Sequence, residues 1–129
     1  MDSANYASFR QSFYELTDDA STIVITSHYS PDDDSIGSVL SVFQILKNKY
    51  PDKNIRIVYT GIPSERHKSF ASFEKIEWVD DVANHLGSID ILIMLDASKY
   101  GRFSRIPEGL HAVPKTICID HHASAPDTF

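Results

Sequence analysis

The sequence predicts an α/β fold of three layers, in which a mostly parallel sheet lies between helices. Two observations carry this prediction. Short apolar runs rich in β-branched residues lack polar alternation, which is typical of strands covered on both faces. Segments with helical spacing separate several of these runs, and such alternation indicates right-handed βαβ units. No helical segment follows the last run, so we expect the fold to be incomplete at its C-terminus.

Two helices are predicted from apolar residues that recur at steps of three and four. The first covers about residues 3–16. Its stripe consists of Tyr6, Phe9, Phe13 and Leu16. The second covers residues 36–46, begins at a capping residue that is either Asp34 or Ser35, and ends before Pro51.

Five strands are predicted from the apolar runs, and a third helix lies between the second and third of them, over residues 64–73. The strands cover residues 22–26, 55–59, 76–79, 89–95 and 116–119.

Composition and charge limit the classes of function. The chain has 129 residues, 42% of them hydrophobic, and a net charge of −6, which fits one acidic globular domain rather than a disordered chain. An acidic balance argues against a grip on long double-stranded nucleic acid, although it permits a short phosphorylated substrate held through metal ions. The longest apolar runs are too short to cross a membrane. One cysteine, Cys118, together with the lack of a signal peptide, predicts a reduced, cytoplasmic setting.

Polar side chains collect where three of the predicted strands end. They are His28, Asp32 and Asp34 after the first strand, Asp96 after the fourth, and Asp120, His121 and His122 after the fifth. In an open parallel sheet these carboxyl ends share one edge, where ligands bind. We therefore expect these residues to converge on one site.

Carboxylates together with imidazoles suit Mn²⁺, Zn²⁺ or iron, and Mg²⁺ when more oxygen ligands are present. The set is too large for one structural zinc and fits two divalent ions that share a bridging carboxylate. Asp96 stands alone at a strand tip and is the natural bridge. Asp32 and Asp34 flank Asp33, so in an extended turn they can point the same way.

Simpler interpretations exist for each residue taken alone. An aspartate after a strand is often a helix cap or a turn former, and residues 32–34 could form a solvated acidic turn. His67, His85 and His111 lie outside the strand-end set and are interpreted as surface or packing residues. The convergence of the whole set favours a functional site.

Three segments resemble, in order, the motifs of the DHH phosphoesterases. They are residues 28–38, residues 93–98 and the Asp-His-His of residues 120–122. Residues 63–67 and 102–103 are also similar to the branch that degrades very short RNA and dephosphorylates phosphoadenosine phosphate. The resemblance implies a Rossmann-like catalytic domain.

The resemblance also implies a pair of metal ions, with manganese expected and magnesium as the alternative. It assigns His28 and Asp32 to one metal, Asp34 and His121 to the other, and Asp96 to both. Asp120 would orient a neighbouring histidine, and His122 would face the scissile phosphate or support the site. The implied nucleophile is a water activated by the metals, so no serine or cysteine nucleophile is needed.

Two departures from the family pattern matter. Asp33 occupies the usual glycine position, where its charge would either tighten metal binding or face solvent. The family's fourth metal-binding aspartate and its separate substrate-binding domain lie beyond the third motif. We therefore expect residues 1–129 to be the N-terminal part of the catalytic domain, without the C-terminal domain, and to be inactive or very weak alone.

The expected reaction is hydrolysis of a phosphodiester or phosphomonoester in a short oligonucleotide or in phosphoadenosine phosphate. One alternative is a pyrophosphatase or polyphosphatase of the same superfamily, and another is a nucleotide-sensing module without hydrolysis. Expected partners are the small nucleotide and, through the exposed edge of the last strand, a second copy of the chain. No membrane partner is expected.

Overall fold

The computed structural model describes residues 3–120, with side chains from residue 7 onward. Two α-helices and five strands form its regular part. In chain order they are α1 (Ser3–Asp19), β1 (Thr22–Ser27), α2 (Asp33–Lys49), β2 (Asn54–Thr60), β3 (Ile76–Val79), β4 (Ile91–Leu95) and β5 (Lys115–Ile119).

The five strands form one sheet in the order β3-β2-β1-β4-β5, and every pairing is parallel. The predicted α/β class with a parallel sheet is confirmed. The chain leaves β1 toward β2 on one side and later returns to place β4 on the other. The carboxyl ends of β1 and β4 therefore flank the point at which strand order reverses, where a crevice forms in folds of this kind.

Both faces of the sheet are buried, as the uninterrupted apolar runs predict. The first face carries α1 and α2, whose Phe13, Leu16, Val39 and Phe43 pack on inward residues such as Ile25. The opposite face is covered by three short 3₁₀ helices, Val82–His85, Tyr100–Arg102 and Pro107–Ala112, rather than by α-helices. Helices do cover both faces, but those on the second face are 3₁₀ helices and not the expected α-helices. Glycines and proline in these connections disfavour longer helices.

The helix predicted over residues 64–73 is wrong. This segment forms two 3₁₀ turns, Glu65–His67 and Phe73–Lys75. Between them Ser72 adopts a left-handed conformation with φ of 68°, which a continuous right-handed helix cannot contain.

The remaining boundaries differ by a few residues from the predicted ones. The largest shift at a strand is that β4 begins at Ile91 rather than Ile89. The Asp90 carboxylate instead accepts hydrogen bonds from the amides of Ser21 and Thr22, which ties the start of β1 to this segment.

β5 lies at one edge of the sheet and pairs with β4. Self-association through this edge stays a prediction. Within residues 3–120, neither α-helix has the length and hydropathy needed to traverse a bilayer.

Candidate functional site

Three side chains converge where the strand order reverses. His28 follows β1, Asp96 follows β4, and Asp32 precedes α2. The Nε2 atom of His28 lies 3.3 Å from Oδ2 of Asp96 and 3.9 Å from Oδ1 of Asp32. One potential ligand atom from each of the three residues lies within 4.8 Å of the others. The structure therefore brings together three of the predicted metal ligands.

The hydrogen bonds of His28 leave its Nε2 suited to a cation. Its Nδ1 lies 3.0 Å from the carbonyl oxygen of Tyr29, and a carbonyl can only accept, so Nδ1 carries the proton. In the neutral imidazole, Nε2 then carries a lone pair, and this lone pair faces the carboxylates of Asp32 and Asp96. Three electron-pair donors at this separation can share one metal ion. Because His28 and Asp96 are both 5% exposed, this donor set fits a divalent cation.

The backbone of Asp96 has an uncommon conformation. Its φ is +64°, a value that aspartate tolerates better than most residues, and its amide donates to the carbonyl of Ile119 at 2.9 Å. This turn directly follows the buried strand β4. Non-glycine residues with positive φ cost about 1–3 kcal/mol and cluster at functional sites.

Asp32 has a second role at the start of α2. Its Oδ1 accepts a hydrogen bond from the Ser35 amide at 2.8 Å, so the N-cap is Asp32 and the predicted cap at Asp34 or Ser35 is wrong. The helix begins at Asp33, three residues before the predicted start at residue 36, and residues 32–34 form its cap and first turn instead of an extended turn. The bond from the Ser35 amide lowers the pKa of Asp32, which keeps this carboxylate ionised.

A buried chain of hydroxyl groups supports these elements from below. Ser27 Oγ donates to the carbonyl of Leu95 at 2.6 Å, and Ser35 Oγ donates to Ser27 Oγ at 2.7 Å. Since the Ser35 proton is used there, the Tyr59 hydroxyl donates to Ser35 at 2.6 Å. The chain links β2, α2, β1 and β4. Sequence reasoning missed it, although a serine at the end of an apolar strand was a possible signal.

Asp34 and Asp120 line the same cleft as Asp96. The cleft has a volume of about 560 Å³, and α2 contributes Gly37 and Ser38 to its wall. Asp34 lies in the first turn of α2, where its charge is favourable at the positive end of the helix. His121 and His122, the remaining predicted site residues, lie outside the described residues.

Asp33 neither joins the metal cluster nor faces solvent alone. Its Oδ1 accepts hydrogen bonds from His67 Nε2 at 2.9 Å and from Arg66 Nη2 at 2.8 Å. Those two bonds, the one from His67 first, lower the pKa of Asp33. No feature of the sequence pattern pairs residue 33 with residues 66 and 67, so this contact could not be foreseen. It joins α2 to the segment that follows β2.

The other two histidines outside the strand-end set lie away from this cleft. His85 is exposed and contacts Asp80 Oδ1 at 2.8 Å. His111 packs against Tyr100 with ring centroids 4.3 Å apart.

Known proteins are similar to this chain in sequence and in fold. Residues 22–129 match the DHH family, N-terminal domain. The bifunctional oligoribonuclease and PAP phosphatase NrnA of Bacillus subtilis is 34% identical over 103 residues, which are 78% of this chain and 29% of that protein. The crystal structure of an exopolyphosphatase-related protein from Bacteroides fragilis aligns with a TM-score of 0.80 and 27% identity, over 91% of this chain and 35% of that one.

The chain spans about a third of the length of these two relatives. The family match covers the elements from β1 onward, including the first, second and third motifs. The resemblance seen in residues 28–38, 93–98 and 120–122 is thereby confirmed, and the chain belongs to the DHH family.

Proposed function

We propose that this chain forms the metal-holding part of a hydrolase that cleaves phosphodiester or phosphomonoester bonds in short oligonucleotides or in phosphoadenosine phosphate. The observation that carries the proposal is the convergence of His28, Asp32 and Asp96 at the reversal of strand order. It supplies a mixed imidazole and carboxylate donor set beside an open cleft.

The residues around the cleft can be given roles on this proposal. His28 and Asp32 would hold one divalent ion, Asp34 and His121 the second, and Asp96 would bridge them. Manganese is the expected metal. When bound, the pair supplies Lewis acidity toward the phosphate and lowers the pKa of a water. Asp120 would orient a histidine, and His122 would stand against the scissile phosphate.

The chain's own groups prepare the site for this chemistry. The Tyr29 carbonyl fixes the tautomer of His28, and the Ser35 amide holds Asp32 in its ionised form. The carboxylates of Asp34, Asp96 and Asp120 make the cleft repel a phosphorylated substrate until cations occupy it. Substrate capture should therefore depend on metal.

The substrate class is supported by the relative from Bacillus subtilis, whose name gives oligoribonuclease and PAP phosphatase activities. The structure from Bacteroides fragilis, described as exopolyphosphatase-related, favours a second candidate, the hydrolysis of polyphosphate or pyrophosphate. Both candidates use the same metal centre and differ in the group beyond the scissile bond.

The test assays residues 1–129 and any longer protein that contains them, each with and without Mn²⁺. The substrates are the dinucleotide pApA, phosphoadenosine phosphate, pyrophosphate and tripolyphosphate. We expect metal-dependent turnover of the nucleotides by a protein that also has a substrate-binding domain, and little or none by residues 1–129 alone. Asp96→Asn should abolish turnover. Asp52→Asn should not, because it removes an exposed carboxylate just before the amino end of β2, at the opposite edge of the sheet from the cleft.

Three results would contradict parts of the proposal. Turnover that survives Asp96→Asn would exclude the bridging role. Turnover restricted to polyphosphate would favour the second candidate. Tight binding of a dinucleotide without any turnover would indicate a sensing module.

A further inference from the structure

The cleft has an excess of negative charge on its walls. Asp33, Asp34, Asp96 and Asp120 line it, and none of its lining residues within the described part of the chain is a lysine or arginine. Two metal ions would neutralise the negative charges of Asp34 and Asp96. A substrate with a second phosphate would still need a cation at the mouth.

We propose that Arg66, held by Asp33 at the mouth of the cleft, binds a substrate phosphate other than the one being hydrolysed. The inference rests on the proposed function and deepens it. It identifies the preferred substrates as nucleotides that carry a second phosphate, such as a 5′-phosphorylated dinucleotide or a nucleoside bisphosphate.

The position of Arg66 follows from its contact with a residue of the cleft wall. Its Nη2 donates to Oδ1 of Asp33 at 2.8 Å, and its side chain is 67% exposed. A guanidinium has five N–H donors, so one bond to Asp33 leaves donors for a ligand. Planar guanidinium groups are well suited to phosphate oxygens because two donors can bind at once.

Asp33 is itself held in place by His67. The side chain of His67 is 2% exposed, and its Nε2 lies 2.9 Å from the same Oδ1 atom. Its Nδ1 is buried and has no hydrogen-bond partner among the described residues. Folding alone does not favour an imidazole with an unsatisfied nitrogen. We therefore infer that the role of His67 is to hold Asp33 in place. Asp33 in turn is a positioning residue for Arg66.

The topology separates this cation from the metal cluster by one strand. Arg66 lies after β2, which neighbours β1 on the side away from β4. The metal cluster lies between the ends of β1 and β4. A phosphate at the metals and a phosphate at Arg66 would thus be two different groups of one elongated substrate, placed on either side of Asp33.

The experiment uses ApA and pApA, which differ only by the terminal phosphate, with the full-length gene product and Mn²⁺. The variants are Arg66→Gln, Arg66→Lys and Asp33→Ala. Lys68→Gln is the matched control, because Lys68 is an exposed cation two residues away that pairs with Glu65 instead. Values of KM and kcat are measured for turnover, and Kd is measured by calorimetry.

We expect the unaltered protein to prefer pApA over ApA in KM. Arg66→Gln should raise KM for pApA about 10- to 100-fold, the range for a lost charged hydrogen bond, while KM for ApA and both kcat values stay within about threefold. Arg66→Lys should recover part of the preference, and Asp33→Ala should lose part of it. Lys68→Gln should match the unaltered protein.

The outcomes separate this inference from the proposed function. If both dinucleotides are hydrolysed and Arg66→Gln keeps the preference for pApA, the role of Arg66 is wrong and the proposed function stands. If pApA binds in an Arg66-dependent way without turnover, hydrolysis is wrong and the role of Arg66 stands. If neither dinucleotide binds or turns over, the hydrolysis of short oligonucleotides and the role of Arg66 in binding them are both wrong.

Discussion

The Nε2 atom of His28 lies 3.3 Å from Oδ2 of Asp96, although 68 positions separate the two residues in the chain. The register of the sheet explains this contact. Ser27 at the end of β1 pairs with Leu95 at the end of β4, so each functional side chain is one residue beyond a paired strand end. Ser27 Oγ also donates to the Leu95 carbonyl at 2.6 Å, which fixes the register where the site begins.

Substitution of Asp96 by asparagine should remove metal binding without disturbing the backbone. Asparagine tolerates the positive φ of this position, so the turn can persist while the charge is lost. Saturation with Mn²⁺ at about 100 times Kd should stabilise the unaltered chain by about 2.7 kcal/mol, a rise of several degrees in Tm. Asp96→Asn should show almost no rise, and Asp52→Asn should show the full one. Calorimetric melting with and without Mn²⁺ measures both. An equal rise for Asp96→Asn would contradict the assignment of Asp96 as a ligand.

The contact between Arg56 and Glu77 should make stability depend on pH. Arg56 binds Glu77 through Nε and Nη2 at 2.8 and 2.9 Å, and these bonds lower the pKa of Glu77 from 4.5. A carboxyl with a lowered pKa stabilises the folded state above its ordinary pKa, and this stabilisation disappears as pH falls through the folded value. Because the Glu77 side chain is 45% exposed, we expect Glu77→Gln to cost at most about 1 kcal/mol at pH 7.

That difference between Glu77→Gln and the unaltered chain should shrink as pH falls below 4.5 and approach zero below the lowered folded pKa of Glu77, where both carry a neutral side chain. Urea unfolding at a series of pH values measures it. A difference that stays constant down to pH 3 would show that packing, rather than charge, is responsible.

The strands and their convergence could be predicted because they depend on local pattern and a general rule. Runs such as residues 22–26 and 91–95 are apolar without alternation, and the sheet buries them on both faces. Parallel strands place their carboxyl ends at one edge, so His28 and Asp96 meet without knowledge of any side-chain contact.

The remaining features depend on contacts that a linear pattern does not contain. Residues 64–73 have helical spacing, but they form two 3₁₀ turns instead of an α-helix. Ser72 between the turns is left-handed, and Arg66 and His67 bond to Asp33. The N-cap moves to Asp32 because its side chain reaches the Ser35 amide, a choice among adjacent capping residues that the sequence leaves open.

The hydroxyl chain of Ser27, Ser35 and Tyr59 should contribute unequally to stability. Tyr59→Phe removes the terminal donor and leaves the bond from Ser35 to Ser27 intact, so we expect a loss of about 1 kcal/mol. Ser35→Ala removes the middle member and leaves the buried Tyr59 hydroxyl without its acceptor, so we expect a larger loss of about 2 kcal/mol. Urea denaturation of the two variants measures the difference. A smaller loss for Ser35→Ala than for Tyr59→Phe would contradict the direction of donation.

Asp32 combines a capping role with a proposed role in metal binding, and two substitutions should separate them. Asp32→Ser keeps a side-chain oxygen that can accept from the Ser35 amide, whereas Asp32→Ala removes it. Without metal, we expect Asp32→Ala to be less stable than the unaltered chain by about 1 kcal/mol and Asp32→Ser to differ by only a few tenths. Both should lose most of the stabilisation by Mn²⁺, because each removes one of the two carboxylates beside His28 and leaves only that of Asp96. Urea unfolding without metal and calorimetric titration with Mn²⁺ measure the two effects independently. Full Mn²⁺ binding by Asp32→Ser would restrict Asp32 to capping, and equal stability of the two variants would restrict it to the metal.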